Sequence, residues 1–176
     1  YYGIQPDIIT YGKIIGGGLP VGMYGASKEI MAKISPDGDV YQAGTLSGNP
    51  VAMAAGIAQL TECLKSDFYS LLEQKAKKLC NDVEGYARSK GYELKMFNIA
   101  SIFWPAFTTK ENIRSADEID AASMNKFRVF HAELLESGIY LGPSGYEVGF
   151  VSEAHSESDI DKTVVAMCKA LDKVFS

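Results

Sequence analysis

Gly16-Gly17-Gly18, followed at once by Leu19-Pro20, is the stretch that most narrows how this chain can fold. Consecutive glycines weaken both helix and strand interiors, because each loses more backbone freedom on ordering than any other residue. Pro20 has no backbone N–H, and the residue before a proline is steered away from the helical region. The triplet therefore marks a turn. Ile8-Ile9-Thr10-Tyr11 ahead of it reads as a short buried strand, and Leu19–Ala26 as a second strand turned back through the glycines. Lys13 stands between strand and turn.

A phosphate loop of the G-x-x-x-x-G-K-[ST] type carries its lysine after the glycines, whereas Lys13 precedes them. A dinucleotide fingerprint needs glycines that open a helix, and Leu19-Pro20-Val21 cannot start one. Two readings stay open. Lys13 is either a surface lysine ahead of a tight turn, or a lysine held at a strand end so that its amine meets a carbonyl. The second reading needs a desolvating wall, since a free lysine with a pKa of about 10.4 is almost wholly protonated and cannot attack. On that reading the glycines let backbone approach a bound ring closely.

The next informative stretch is YQAGTLSGNPVAMAAG, Tyr41 to Gly56. Asn49 suits an N-cap and Pro50 the first helical position, so a helix is expected from Pro50 to about Lys65. Gly44, Thr45, Ser47 and Gly48 form a small polar loop ahead of it. Thr45 either closes a turn through its hydroxyl or helps to hold an anion at the helix start. Between the two motifs, Ser27 caps a short helix to Ile34, and Ser35-Pro36-Asp37-Gly38 makes a turn.

From about Ser66 the pattern changes. Phe68–Lys90 is a long amphipathic helix with Leu72, Ala76, Leu79, Val83 and Tyr86 at helical spacing and Gly91 as its C-terminal stop. Strands are expected at Glu93–Phe97 and Ser101–Phe107, then a helix from about Ala122 to Glu136 ended by Gly138. Ile139–Leu141 and Tyr146–Val151 read as short strands. A last helix starts near Ser156, with Asp159 as a capping-box partner. Its expected buried stripe is Ile160, Val164, Cys168, Leu171 and Phe175. The order is βαββαββα, an α+β unit, and the expected division is residues 1–66 and 67–176. Trp104 is read as core, His155 as a local hydrogen-bonding residue, and Ser152 and Ser156 as turn and capping residues.

The chain of 176 residues is long enough for one domain or two small ones with real cores. A net charge of -5 argues against a nucleic-acid partner. Lys75, Lys77 and Lys78 lie among Glu73, Asp82 and Glu84, as on a solvated helix face. No apolar run reaches the ~20 residues of a membrane span, and no signal-peptide pattern opens the sequence. Cys63, Cys80 and Cys168 form no C-x-x-C pair and suit free buried thiols in a reducing cytoplasm. His131 and His155 have no close cysteine, so no metal site is expected. The opening Tyr1-Tyr2-Gly3 reads as the start of a C-terminal piece of a longer protein.

PDIITYGKIIGGGLPVGMYGAS and YQAGTLSGNPVAMAAG together resemble the class III aminotransferases, which use pyridoxal 5'-phosphate. AGTLSGNP and GPSGYEVGFVSEAH resemble that family's aminomutase branch, and the likeness continues through ESGIYLGPSGYEVGFVSEAHSESDID, so it runs over essentially the whole chain. Met23-Tyr24-Gly25-Ala26 departs slightly, since members more often carry smaller residues there.

The resemblance implies an α/β fold of the fold-type I transferases, with residues 1–66 ending the large cofactor domain and 67–176 forming the small α+β domain. It implies that Lys13 is the Schiff-base lysine and proton shuttle, and that Gly44 and Thr45 bind the cofactor phosphate of the neighbouring subunit in a homodimer. Glu147, otherwise readable as a solvated charge, would face the substrate. The implied reaction rearranges glutamate 1-semialdehyde to 5-aminolevulinate for tetrapyrrole synthesis, passing through the pyridoxamine 5'-phosphate form and a diamine. Gly38–Gly48 would belong to a gating loop. The pyridine-nitrogen partner and several substrate contacts would lie upstream of Tyr1, so activity would need that upstream portion.

Overall fold

A computed structural model describes residues 2–176. The chain divides into two compact units, one ending at Ser66 and the other running from Asp67 to Ser176.

The first unit is built on a two-stranded antiparallel ribbon. Strand β1, Ile8–Tyr11, pairs with β2, Met23–Ala26, in a register that sets Ile8 opposite Ala26 and Tyr11 opposite Met23. The expected second strand from Leu19 is thus cut to its last four residues. Leu19 N–H instead donates to the Gly16 carbonyl at 3.0 Å, which keeps it in the turn, and Pro20 has no donor to give a ladder. A second expectation also fails. Strand β1 is exposed along its length, because a two-stranded ribbon beside a single long helix cannot cover both of its faces.

Helix α1, Lys28–Met31, is capped by the Ser27 hydroxyl, which accepts from Ile30 N–H at 3.3 Å. It stops short of Ile34, which pairs with Val40 in an isolated parallel bridge across the Ser35–Gly38 turn. Helix α2, Pro50–Cys63, starts as its sequence demands: Asn49 Oδ1 accepts from Val51 N–H at 3.0 Å and from Ala52 N–H at 3.1 Å.

The second unit packs helices on a three-stranded antiparallel sheet in the order β3-β4-β5. Helix α3, Phe68–Lys90, ends at Gly91, whose φ of +72° is a left-handed stop. Strand β3, Lys95–Ile99, begins later than expected because the helix exit is tied down first: Tyr92 N–H donates to the Ala87 carbonyl at 2.9 Å and Leu94 N–H to that of Tyr92 at 3.0 Å. Strand β4, Ile102–Ala106, helix α4, Ser123–Glu136, strand β5, Gly149–Phe150, and helix α5, Glu157–Val174, follow.

Two expected strands shrink or vanish. Ile139–Leu141 forms no strand, and only Gly149–Phe150 remains of Tyr146–Val151. A side chain and a turn take groups that a ladder would use: His131 Nε2 contacts the Leu141 carbonyl at 3.1 Å, and Glu147 N–H donates to the Ser144 carbonyl at 3.0 Å.

One core holds this unit together. Leu79 and Val83 of α3, Phe130 and Leu134 of α4, and Met167 and Leu171 of α5 are essentially inaccessible, and Phe107 meets Phe130 edge to face at 5.6 Å. The buried face of α5 is broader than the expected stripe. Ile160 and Leu171 are buried as expected, Val164, Cys168 and Phe175 only half-buried, and Ala166, Met167 and Ala170 replace them because α5 packs against both α3 and α4. The capping box is present in full, with Ser156 and Asp159 each satisfying the other's backbone N–H.

Candidate active site

In the first unit, Lys13 opens a 3-10 turn, Lys13–Gly16, directly after β1. Its backbone has a φ of +50°, so Lys13 lies in the left-handed region that side chains seldom adopt. Such outliers cost about 1–3 kcal/mol and cluster where function depends on them. The amine is exposed, with no hydrogen-bond or ion-pair partner among the described residues. The expected low-dielectric wall around Lys13 is therefore absent from this unit, whose own residues are too few to build it.

One glycine of the triplet also serves the fold itself. Gly17, at φ +56°, lies against α2: a Cβ there would stand 2.5 Å from the Ala55 carbonyl oxygen. A Cβ on Gly56 would in turn meet the Ile15 carbonyl oxygen at 2.6 Å. Turn and helix are thus docked backbone to backbone, each through a glycine. That contact fixes the turn that carries Lys13.

Helix α2 also carries the second motif at its N-terminal end. Gly44–Gly48 forms a tight loop in which Ser47 N–H donates to the Gly44 carbonyl at 2.9 Å and Asn49 N–H to that of Leu46 at 3.1 Å. The Ser47 hydroxyl lies over Gly44, where a Cβ would come within 2.9 Å of it. The hydroxyls of Thr45 and Ser47 are exposed and have no partner among the described residues. Exposed donors just ahead of a fourteen-residue helix suit a phosphate, which helix N-termini attract. The unpaired Lys13 amine has the group that a carbonyl condenses with, while the desolvating wall such a step needs is not built by this unit alone. The donor types present are those that pyridoxal phosphate calls for.

In the second unit Glu147 sits in the loop between α4 and β5, not in a strand. Its side chain is exposed and folds over Gly142, where a Cβ would lie 1.9 Å from Oε2. His155 is a local hydrogen-bonding residue: its Nδ1 accepts from Ser152 N–H at 2.9 Å, and its carbonyl accepts from Lys75 Nζ at 2.7 Å. Lys77 pairs with Glu73 at 2.7 Å, and Lys78 with Asp82 at 3.0 Å and Asp161 at 2.5 Å, as a solvated face requires. Among the described residues no group of carboxylates, thiols and imidazoles forms a metal site, and the three cysteines are free.

Comparison with known proteins supplies the family. The family described as Aminotransferase class-III matches residues 1–171. The chain belongs to the class-III aminotransferases. It is 46% identical over 174 residues to a glutamate-1-semialdehyde 2,1-aminomutase of Thermodesulfovibrio yellowstonii, covering 99% of this chain and 40% of that protein. A protein of the same name from Syntrophomonas wolfei is 47% identical over 170 residues, covering 97% of this chain and 39% of its own length. The chain thus spans about two-fifths of the curated relatives it matches. A crystal structure of an omega-transaminase from Sphaerobacter thermophilus superposes with a TM-score of 0.84 at 27% identity, covering 99% of this chain and 40% of that one.

In this class-III aminotransferase Trp104 departs from its sequence expectation. It is half-buried on β4, stacks on Phe97 at 5.4 Å between ring centroids, and donates through Nε1 to the Gly145 carbonyl at 2.7 Å. Core packing was the wrong expectation. An indole keeps a polar N–H that needs an acceptor, and the only sequence signal was a tryptophan on a strand facing a glycine-rich loop. Among the described residues no helix is long and apolar enough to cross a membrane.

Proposed function

We propose that this chain is the C-terminal part of an aminomutase that converts glutamate 1-semialdehyde to 5-aminolevulinate for tetrapyrrole synthesis. What carries the reading is the identity of 44–47% to four curated proteins of that name, spread over nearly the whole chain. Residues 1–66 would close the large cofactor domain and 67–176 would form the small one. Activity would need the portion that precedes this chain in its relatives. Free thiols and the absence of disulfides among the described residues suit the cytoplasm.

The reaction is an isomerisation: the amino group and the carbonyl of the substrate exchange places between adjacent carbons, so no external amine enters or leaves. When bound, pyridoxal phosphate supplies the carbonyl that takes up amines and the ring that spreads negative charge. Lys13 would hold it through its Nζ and then carry a proton between the cofactor's C4′ and the substrate carbon. Thr45 Oγ1 and the Gly44 backbone would anchor the phosphate, and the outward exposure of both favours a phosphate belonging to a second copy, hence a homodimer with shared sites. The Glu147 carboxylate accepts hydrogen bonds only, so it would take an N–H of the substrate. Closure over the site would keep water and the diamine in check.

A second reading is a transaminase with two separate substrates, favoured by the resemblance to the omega-transaminase at 27% identity. The deciding experiment supplies the full-length holoenzyme with glutamate 1-semialdehyde and no amino donor or acceptor. Stoichiometric 5-aminolevulinate supports the aminomutase. Product formation only with an added donor or acceptor supports the transaminase.

A further inference from the structure

The loop Gly142–Glu147 is held to its own unit at one buried residue. Gly145 is covered on one side by α4, where a Cβ would stand 2.7 Å from Met124 Sδ and 3.0 Å from Phe127 Cγ. Its carbonyl points at β4 and accepts from Trp104 Nε1 at 2.7 Å. That indole is itself fixed by stacking on Phe97 across the β3–β4 pair, with 23° between the rings. Beyond Gly145 the chain turns at once: Tyr146 N–H donates to Ser144 Oγ at 3.3 Å, and Glu147 N–H to the Ser144 carbonyl at 3.0 Å. Glu147 therefore follows the clamped residue by one tight turn, and its side chain is laid over Gly142.

We infer that Trp104 is a positioning residue for substrate: its indole N–H, by holding the Gly145 carbonyl, sets where the Glu147 carboxylate meets the amine-bearing end of the substrate. The inference rests on the reading of Glu147 as substrate-facing. The physical reason is economy of motion. A two-residue connection transmits a shift at Gly145 almost undamped to Glu147, and a contact misplaced by about 1 Å loses much of its effect. Trp104 touches neither substrate nor cofactor in this role.

The test uses the full-length holoenzyme and glutamate 1-semialdehyde. Trp104→Phe keeps the stacked ring and removes the donor; Gly145→Ala disturbs the same clamp from the α4 side. Each is expected to raise KM about three- to tenfold with a smaller change in kcat, as for the loss of one uniform binding contact. Amide exchange at Tyr146 and Glu147 should speed up. In an Glu147→Gln background, which has its own raised KM, Trp104→Phe should add nothing further.

An equal rise in KM in both backgrounds, or unchanged exchange at Tyr146 and Glu147, overturns the inference while leaving Glu147 in place. A KM unaffected by Glu147→Gln removes Glu147 from the substrate site and takes the inference with it. The two failures are therefore told apart.

Discussion

Gly17 lies so close to Ala55 that a Cβ on the glycine would stand 2.5 Å from the alanine carbonyl oxygen. The contact binds a turn at the end of a ribbon to the middle of α2, and with it Lys13, four residues earlier. Neither the turn nor the helix alone calls for glycine at that place with such force. The pairing of the two does.

Gly17→Ala should therefore be damaging. It adds a clash with backbone to a φ of +56°, for a destabilisation of about 2–4 kcal/mol. Gly12→Ala is the control, since nothing lies within 4 Å of its added Cβ and its φ is -153°. It should change stability by no more than about 0.5 kcal/mol. Denaturant midpoints of the full-length protein, read beside cofactor absorbance, separate the two. Equal midpoints would refute the docking argument.

Lys13→Arg keeps the positive charge and removes the amine proposed to condense with the cofactor carbonyl. Borohydride reduction with pyridoxal phosphate should label Lys13 in the full-length protein and leave the variant unlabelled at that peptide. Activity should fall by at least about 10³-fold, since the covalent anchor and the proton carrier are lost together. Retention of the label elsewhere with full turnover would return Lys13 to an ordinary surface lysine.

The second unit should have a pH window set by a shared carboxylate. Asp172 accepts from Tyr86 at 2.7 Å and from Tyr92 at 3.0 Å. Hydrogen bonds from Tyr86 and then Tyr92 hold its carboxyl below the ordinary range, so this contribution is present at neutral pH and is lost as acid protonates Asp172. The Tyr86 phenol is pushed from 10.0 up to about 12, chiefly by its bond to Asp172. Its contribution is complete below pH 10 and disappears as pH rises towards 12. Asp172→Asn should shrink the difference between pH 7 and each limb, measured as the denaturation midpoint. Parallel pH profiles for both proteins would count against the cluster.

Cys80 should resist thiol reagents in the folded protein. It is buried, and burial followed by the charge of Glu84 pushes its thiol up to about 12. Alkylation at pH 8 and peptide mapping should find Cys63, which is half-buried, modified well before Cys80. Cys168 is also half-buried, with its thiol raised by burial and then by Asp172, so it should react more slowly than Cys63. Early labelling of Cys80 would mean that α3 opens readily.

Local signals in the sequence carried far. The caps at Ser27, Asn49 and Ser156 and the stop at Gly91 depend on groups within a few residues of one another, and α3 runs from Phe68 to Lys90 as its spacing requires. Errors came where the partner was distant in sequence. Ile139–Leu141 has the composition of a strand, yet His131 contacts its last carbonyl from α4. The spacing of α5 marks a narrow stripe from Ile160 to Phe175, and two helices cover a broader face.

The amino-acid sequence by itself determined the long helices and their caps, the turn at Gly16–Gly18 and the family, because these rest on short-range chemistry and on motifs that survive as strings of residues. Only the tertiary structure decided that Gly17 serves α2, that Trp104 holds the Glu147 loop, and that Lys13 stands in a left-handed backbone. Each of these depends on two groups that meet through folding. No spacing along the chain encodes such a meeting, since the free energy that selects it is gained only when distant surfaces close on one another.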